Sequence, residues 1–164
     1  MPYAERYRAD FERLNRAWIA RHFTVEPGDE AELSDPEAHF VRGGGQVLFL
    51  VTGSGDVAGT VALLRHGDGF EVAKMTVDEA HRGRGYGDLL LAAAIRWAEA
   101  RGGRYLELVT NSSLAPAIRL YEKHGFEHVP LLEGGEPYAR ADVRMRRPLL
   151  PPDGPPVFVP EGPG

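Results

Sequence analysis

Residues 81–87 read HRGRGYG, with glycines at 83, 85 and 87 and arginines at 82 and 84. An apolar run, 72–77, comes before this stretch, and a long run of helix-forming residues comes after it. The first N–H groups of a helix have no internal partner and sit at the positive end of its dipole. Alternate glycines allow a tight turn and let an anion approach without Cβ atoms in the way. The chemistry that fits is phosphate or pyrophosphate binding by Arg82, Gly83, Arg84, Gly85, Tyr86, Gly87 and Asp88. A P-loop would end in Gly-Lys-Ser/Thr, and none is present. A dinucleotide loop would carry G-x-G-x-x-G directly after the first strand of a βαβ unit. Here the spacing differs, and residues 78–82 separate the loop from the preceding run. A glycine-rich turn with no ligand remains the plain alternative on composition.

The elements that must position this loop follow from local signals. Residues 5–21 place Tyr7, Phe11, Leu14 and Trp18 at helical spacing. A weaker helix is expected over 29–33, after Pro27-Gly28, with a short turn or helix from Asp35-Pro36. Strands are expected at 46–52, 57–66 and 70–77, joined by tight Gly/Asp turns as an antiparallel meander. A helix over 86–100 stops at Gly102-Gly103. Then come a strand at 104–110, a helix at 114–124 with Pro116 in its first turn, and strands at 126–132 and 141–149. The order predicts one α/β (α+β) domain with a mixed, mostly antiparallel sheet flanked by helices. Residues 1–148 form that domain. Residues 149–164, dominated by Pro and Gly, are expected to be a tail without packed structure.

Bulk properties narrow the function classes. The 164 residues suit a single domain, and 43% hydrophobic residues are enough for a core. A net charge of −5 gives no overall pull on nucleic acid or anionic membrane, so neither is an expected partner. With no cysteine, a disulfide framework, a thiolate zinc site and a cysteine nucleophile are all excluded. The six histidines make no convincing metal set, and no metal is expected. The opening MPYAERYRAD has no signal-peptide character, and the longest apolar run is broken by Arg96. The expectation is a cytoplasmic protein, with a homodimer left open.

The segment VAKMTVDEAHRGRGYGDLLLAAAIRWAEARG resembles the acetyl-CoA-binding segment of the GNAT N-acetyltransferase superfamily. Its pattern Arg/Gln-x-x-Gly-x-Gly/Ala is matched by Arg82, Gly85 and Gly87. APAIRLYEKHGF is similar to the second family signature, through Ala117, Leu120, Tyr121, Gly125 and Phe126. The resemblance covers about residues 46–148. It implies that the loop amides hold the pyrophosphate of coenzyme A, with acetyl-CoA as co-substrate. It implies a bulge near Met75 and a splay between the strands at 70–77 and 104–110. Pantetheine would lie in that gap against Met75, Thr76 and Val77, bonded by the backbone of Met75 and Val77. Ala117 and Asn111 join this cofactor set. Asn111 stands ten residues before Tyr121 rather than the family's seven, where Leu114 lies, so a turn or cap role for it is an equal expectation. Most members begin with a strand before the first helix; here that strand is expected to be short or missing.

Acetyl transfer to an amine needs a base for the ammonium, a donor for developing oxyanion charge, and a proton for the leaving thiolate. The resemblance nominates Glu71 as base and Tyr121 as acid. Simple alternation puts Glu71, Ala73, Met75 and Val77 nominally on one face, a register that a bulge near Met75 would alter locally. An exposed strand glutamate and a purely packed tyrosine are the plain alternatives. The resemblance implies that the first two helices, the loop before the meander and residues 133–140 line the acceptor side, with Tyr138 and Arg140 as contacts. The acidic group at 26, 29, 30, 32, 35 and 37 reads first as solvated surface and second as an attractor for a cationic amine. RMRRP at 144–148 reads as a strand with exposed basic residues. Arg140 or Arg144 could pair a substrate carboxylate. The acceptor is a primary amine of a small molecule, amino acid or peptide. A non-catalytic acyl-CoA-binding module and an enzyme for longer acyl chains are the competing readings.

Overall fold

The computed structural model describes residues 1–23, 26–132 and 140–149. Helix α1 (Arg8–His22) buries Phe11, Leu14 and Ile19, the apolar stripe expected of a surface helix. Helix α2 (Pro27–Ser34) starts two residues earlier than its sequence signal. Glu26 and Asp29 form a reciprocal cap around Pro27, which supplies a ready-made first turn. A single wide helical turn over Glu37–Val41 leads into the sheet and buries Phe40.

The strands are β1 (Gln46–Val51), β2 (Val57–His66), β3 (Gly69–Val77), β4 (Tyr105–Thr110), β5 (Glu127–Val129) and β6 (Val143–Pro148). Helix α3 (Tyr86–Ala100) connects β3 to β4, and α4 (Ala115–Lys123) follows β4. The six strands form one sheet in the order β1-β2-β3-β4-β6-β5. Only the β3–β4 pair is parallel, which the α3 crossover allows. No strand precedes α1 among the described residues. Met1 and Phe49 instead exchange both backbone hydrogen bonds, at 2.9 and 2.7 Å, on the outer edge of β1.

The sheet carries a core on each face. One, with α3 and α4, contains Phe70, Val72, Leu91, Ile95, Leu106 and Met145. The other, with α1, contains Phe11, Ile19, Leu33, Phe40 and Val47. Leu149, the first residue of the expected tail, is buried in the α3 core, and its N–H donates to the Arg104 carbonyl at 3.0 Å. The packed unit thus extends one residue past the expected boundary; the rest of the tail, 150–164, lies outside the described residues.

One irregularity in β3 positions the site. Ala62 pairs with Lys74 and Leu63 with Val72, so Ala73 has no partner on β2. This is a bulge, two residues upstream of Met75. It reverses the alternation. Phe70, Val72, Met75 and Val77 pack with the α3 core, whereas Ala73 joins the α1 core and Lys74 and Thr76 bond to groups on α2 and α1. Alternation before the bulge puts Glu71 on the α1/α2 side too. The expected sharing of one face by Glu71, Ala73, Met75 and Val77 is therefore corrected: the extra residue splits that set in two.

Candidate active site

β3 and β4 pair only at 70–72 with 106–108. Beyond Val72 and Leu108 the two strands part. Asp78 N–H donates to the Ala58 carbonyl at 2.7 Å, and Thr76–Thr60 and Lys74–Ala62 continue that register. Those alternate positions therefore bond to β2, which turns the N–H and C=O groups of Met75 and Val77 away from β2 toward the gap. A cleft of about 300 Å³ fills the wedge. Its wall includes Met75, Thr76, Asn111, Leu114, Ala117 and Tyr121.

The glycine loop lies just past the C-terminal end of β3. Gly83 and Gly85 adopt φ of 80° and 75°, in the left-handed region where other residues are strained. A Cβ built at either would meet nothing within 4 Å, so the space before them is open. Gly87 also serves helix packing. A Cβ there would come within 3.2 Å of the Leu120 side chain, so its absence lets α3 and α4 approach. The first bond across the α3 junction is Leu89 N–H to the Gly85 carbonyl, at 3.2 Å. Ahead of it the amides of Tyr86, Gly87 and Asp88 have no place in the helical ladder. Arg82 and Arg84 are exposed. The Asp88 carboxylate is turned to α4, bonded to Lys123 Nζ and His124 Nε2 at 2.9 Å each. The hydrogen bonds from Lys123 and His124 hold it below the usual carboxylate range.

Glu71 lines the cleft with its side chain only 14% exposed. Burial pushes its carboxyl up; the charges of Arg144 and His66 act downward, and those of Glu107 and Glu32 upward. Among the described residues it has no hydrogen-bond partner, and His66 Nδ1 is 4.0 Å away. A buried carboxylate with a raised pKa suits proton abstraction. Tyr121 faces the same cleft from α4 and packs beside Phe126 at 6.0 Å between rings. Burial raises its phenol to about 12, so it keeps its proton at neutral pH. Its hydroxyl has no hydrogen-bond partner among the described residues.

The acceptor side departs from expectation. Asp29 is fully buried and Glu32 is 5% exposed; they are not solvated surface. Lys74 Nζ meets Asp29 Oδ1 at 2.8 Å and Glu32 Oε1 at 2.9 Å. Arg140 grips both Asp29 oxygens, at 2.7 and 2.9 Å, and reaches Glu26 at 3.3 Å. Burial alone would raise the Asp29 pKa, but these donors and the Glu26 amide outweigh it and lower it well below the usual range. Arg144 is equally committed: it is 4% exposed and bonds Glu107 Oε1 at 2.8 Å, so the exposed-strand expectation fails at that position. Asn111 serves its turn. Its Nδ2 donates to the Arg140 carbonyl at 2.7 Å, and its Oδ1 accepts from Ser113 N–H at 2.9 Å. Tyr138 lies outside the described residues.

Sequence reasoning missed Lys74, Asn15, Trp18 and Phe23, all of which line the cleft. A lone lysine inside the apolar run 70–77 was the available signal, since a buried ammonium needs paired carboxylates. Among the described residues no group of three or more potential metal ligands is present, and no helix is long and apolar enough to cross a membrane.

Residues 9–126 match the model of the acetyltransferase (GNAT) family. The chain is 32% identical over 124 residues to the uncharacterized N-acetyltransferase YjgM of Escherichia coli, a match covering 76% of this chain and 66% of that one. It is 38% identical over 64 residues to the uncharacterized N-acetyltransferase MJ1207 of Methanocaldococcus jannaschii, covering 39% and 28%. In each case the match spans less than two thirds of the relative. A GNAT-family acetyltransferase from Staphylococcus aureus Mu50 superposes with a TM-score of 0.81 over 91% of this chain and 97% of that one, at 19% identity. A phosphinothricin acetyltransferase from Sinorhizobium meliloti, solved in complex with AcCoA, superposes at 0.73 over 99% and 92%, also at 19% identity. At such identities the two structures share the fold.

Proposed function

Since the chain belongs to the acetyltransferase (GNAT) family, we propose that it moves an acetyl group from acetyl-CoA to a primary amine. The observation that carries this is one cleft lined by both Glu71 and Tyr121, in the wedge where β3 and β4 part. Acetyl-CoA supplies an activated thioester. The loop with two left-handed glycines fits the diphosphate of that group, since it leads into the first amides of α3, leaves room at Gly83 and Gly85, and carries exposed Arg82 and Arg84. The gap-facing backbone of Met75 and Val77 suits the amides of pantetheine, which would add to β3 as an extra strand would.

In this reading Glu71 takes a proton from the acceptor ammonium, directly or through a water, because a protonated amine has no lone pair. The new N–C bond forms as the C–S bond breaks. Tyr121 gives its proton to the departing sulfur, and the second amine proton leaves the new amide nitrogen to restore the phenol, directly or through a water. The buried phenol is the neutral donor this requires, and Glu71, raised by burial, is a stronger base than an ordinary exposed carboxylate.

A thermal-shift series with acetyl-CoA, dephospho-CoA and free nucleotides, followed by thiol release across an amine panel, tests the proposal. Stabilisation by CoA species and amine-dependent thiol release are expected. Absence of any CoA effect contradicts the donor. CoA binding without release from any amine leaves an acyl-CoA-binding module and contradicts the enzyme.

A further inference from the structure

The charges lining the acceptor end of the cleft are unequally committed. Lys74 is held by Asp29 and Glu32. Arg140 is held by Asp29 and Glu26. Asn15 and Thr76 satisfy each other at 2.7 Å, and the Asn15 amide also donates to the Phe11 carbonyl. Every cation that lines the cleft among the described residues is thus matched by a protein carboxylate. Glu71 is the cleft carboxylate with no hydrogen bond, and its nearest partner is His66 at 4.0 Å. The same cleft also carries an apolar stretch of wall. Trp18, Ile19, Phe23 and Leu64 line it, and the Trp18 and Phe23 rings lie 5.8 Å apart.

From this arrangement we infer that the acceptor is a monoamine with an apolar or aromatic body and no carboxylate, an arylalkylamine in class. The inference rests on reading the Glu71 cleft as the acceptor end. An ammonium placed at Glu71 gives that carboxylate the hydrogen bond it lacks among the described residues, and the ring of such an amine removes apolar wall from water. An α-amino acid carries a second, negative group. To pair it, Lys74 or Arg140 must release Asp29 or Glu32, and a buried carboxylate left without its cation is strongly unfavourable. Arg144, whose charge also reaches Glu71, is itself bonded to Glu107 Oε1 at 2.8 Å, so it too is matched by a protein carboxylate. Discrimination of this type comes from repulsion and displacement as much as from attraction.

Calorimetric titration of the coenzyme A-loaded protein with phenethylamine and with phenylalanine reads this directly, because the two differ only in the carboxylate. Phenethylamine is expected to bind at least about 10-fold more tightly, equivalent to ~1.4 kcal/mol. In Glu32→Gln, where Lys74 loses one of its two carboxylates, the ratio is expected to narrow. Equal or tighter binding of phenylalanine to the wild type overturns the inference, and so does failure of both to bind. Failure of coenzyme A to bind would instead count against the acetyl-CoA reading, and the same titration of the free protein then decides the acceptor class.

Discussion

Glu71 and Lys74 stand three positions apart on β3 and yet face the same side of the sheet. In a regular strand they would point to opposite faces. Ala73, left without a partner on β2, makes the difference. The bulge brings Lys74, which Asp29 and Glu32 hold, to the sheet face that carries Glu71. It also swings Met75 and Val77 to the α3 side, with their backbone toward the gap. One extra residue thus divides the side chains of β3 between the two cores of the sheet.

Glu71→Gln keeps the shape of the side chain and removes its basicity. Turnover is expected to fall by about 10²–10⁴-fold, the usual worth of a positioned base. The wild-type rate falls as pH drops through the pKa of Glu71, which burial holds above the ordinary glutamate value. That acid limb is expected to be missing from the variant. A pH profile of kcat for both proteins checks it.

Tyr121→Phe removes a hydroxyl that bonds to nothing among the described residues, so the fold is expected to be undisturbed. The rate with acetyl-CoA is expected to drop by about 10²-fold or more, within the range for general acids. Acetyl-CoA affinity changes little. Steady-state kinetics combined with a thermal melt separates the two effects.

Gly85→Ala puts a side chain on a residue at φ 75°. The built Cβ meets no atom, so the cost is backbone strain of about 1–2 kcal/mol. Relief of that strain would tilt the first amides of α3. The expected result is weaker coenzyme A binding with an intact sheet, read by titration and circular dichroism.

Asp29→Asn leaves Lys74 and Arg140 short of a charge in a buried place. A loss of about 3–5 kcal/mol is expected, as for other broken buried pairs. The pH dependence follows from the sign of the shift. The folded-state pKa of Asp29 lies below its unfolded value, about 3.9. Its contribution is therefore complete above about pH 4 and is lost as pH falls toward the folded value. Urea melts across that range are expected to show a steeper acid loss for the wild type than for the variant.

Much of this fold was legible because its punctuation is local. The turns at 53–56 and 67–69 set β2 to its observed 57–66, and the paired glycines at 102–103 end α3 where expected. The open glycine loop before α3 and the presence of Glu71 and Tyr121 at one cleft agree with the resemblance. The acceptor wall was not. The burial of Asp29 depends on Lys74, 45 residues later, and on Arg140, 111 residues later, and no local pattern encodes that. The bulge was expected near Met75, but its seat at Ala73 is fixed by how β2 and β3 register. Arg144 looked exposed because RMRRP alternates only basic residues with one Met; its burial comes from Glu107 on the neighbouring strand.

The central claim is that an amine held at Glu71 receives the acetyl group of acetyl-CoA. Incubation with isotopically labelled acetyl-CoA and phenethylamine, followed by mass spectrometry of the amine, tests it most directly. The expected result is labelled N-acetyl amide formed at a rate that tracks thiol release and collapses in Glu71→Gln. Bound acetyl-CoA with no labelled amide from phenethylamine or any other primary amine would contradict it.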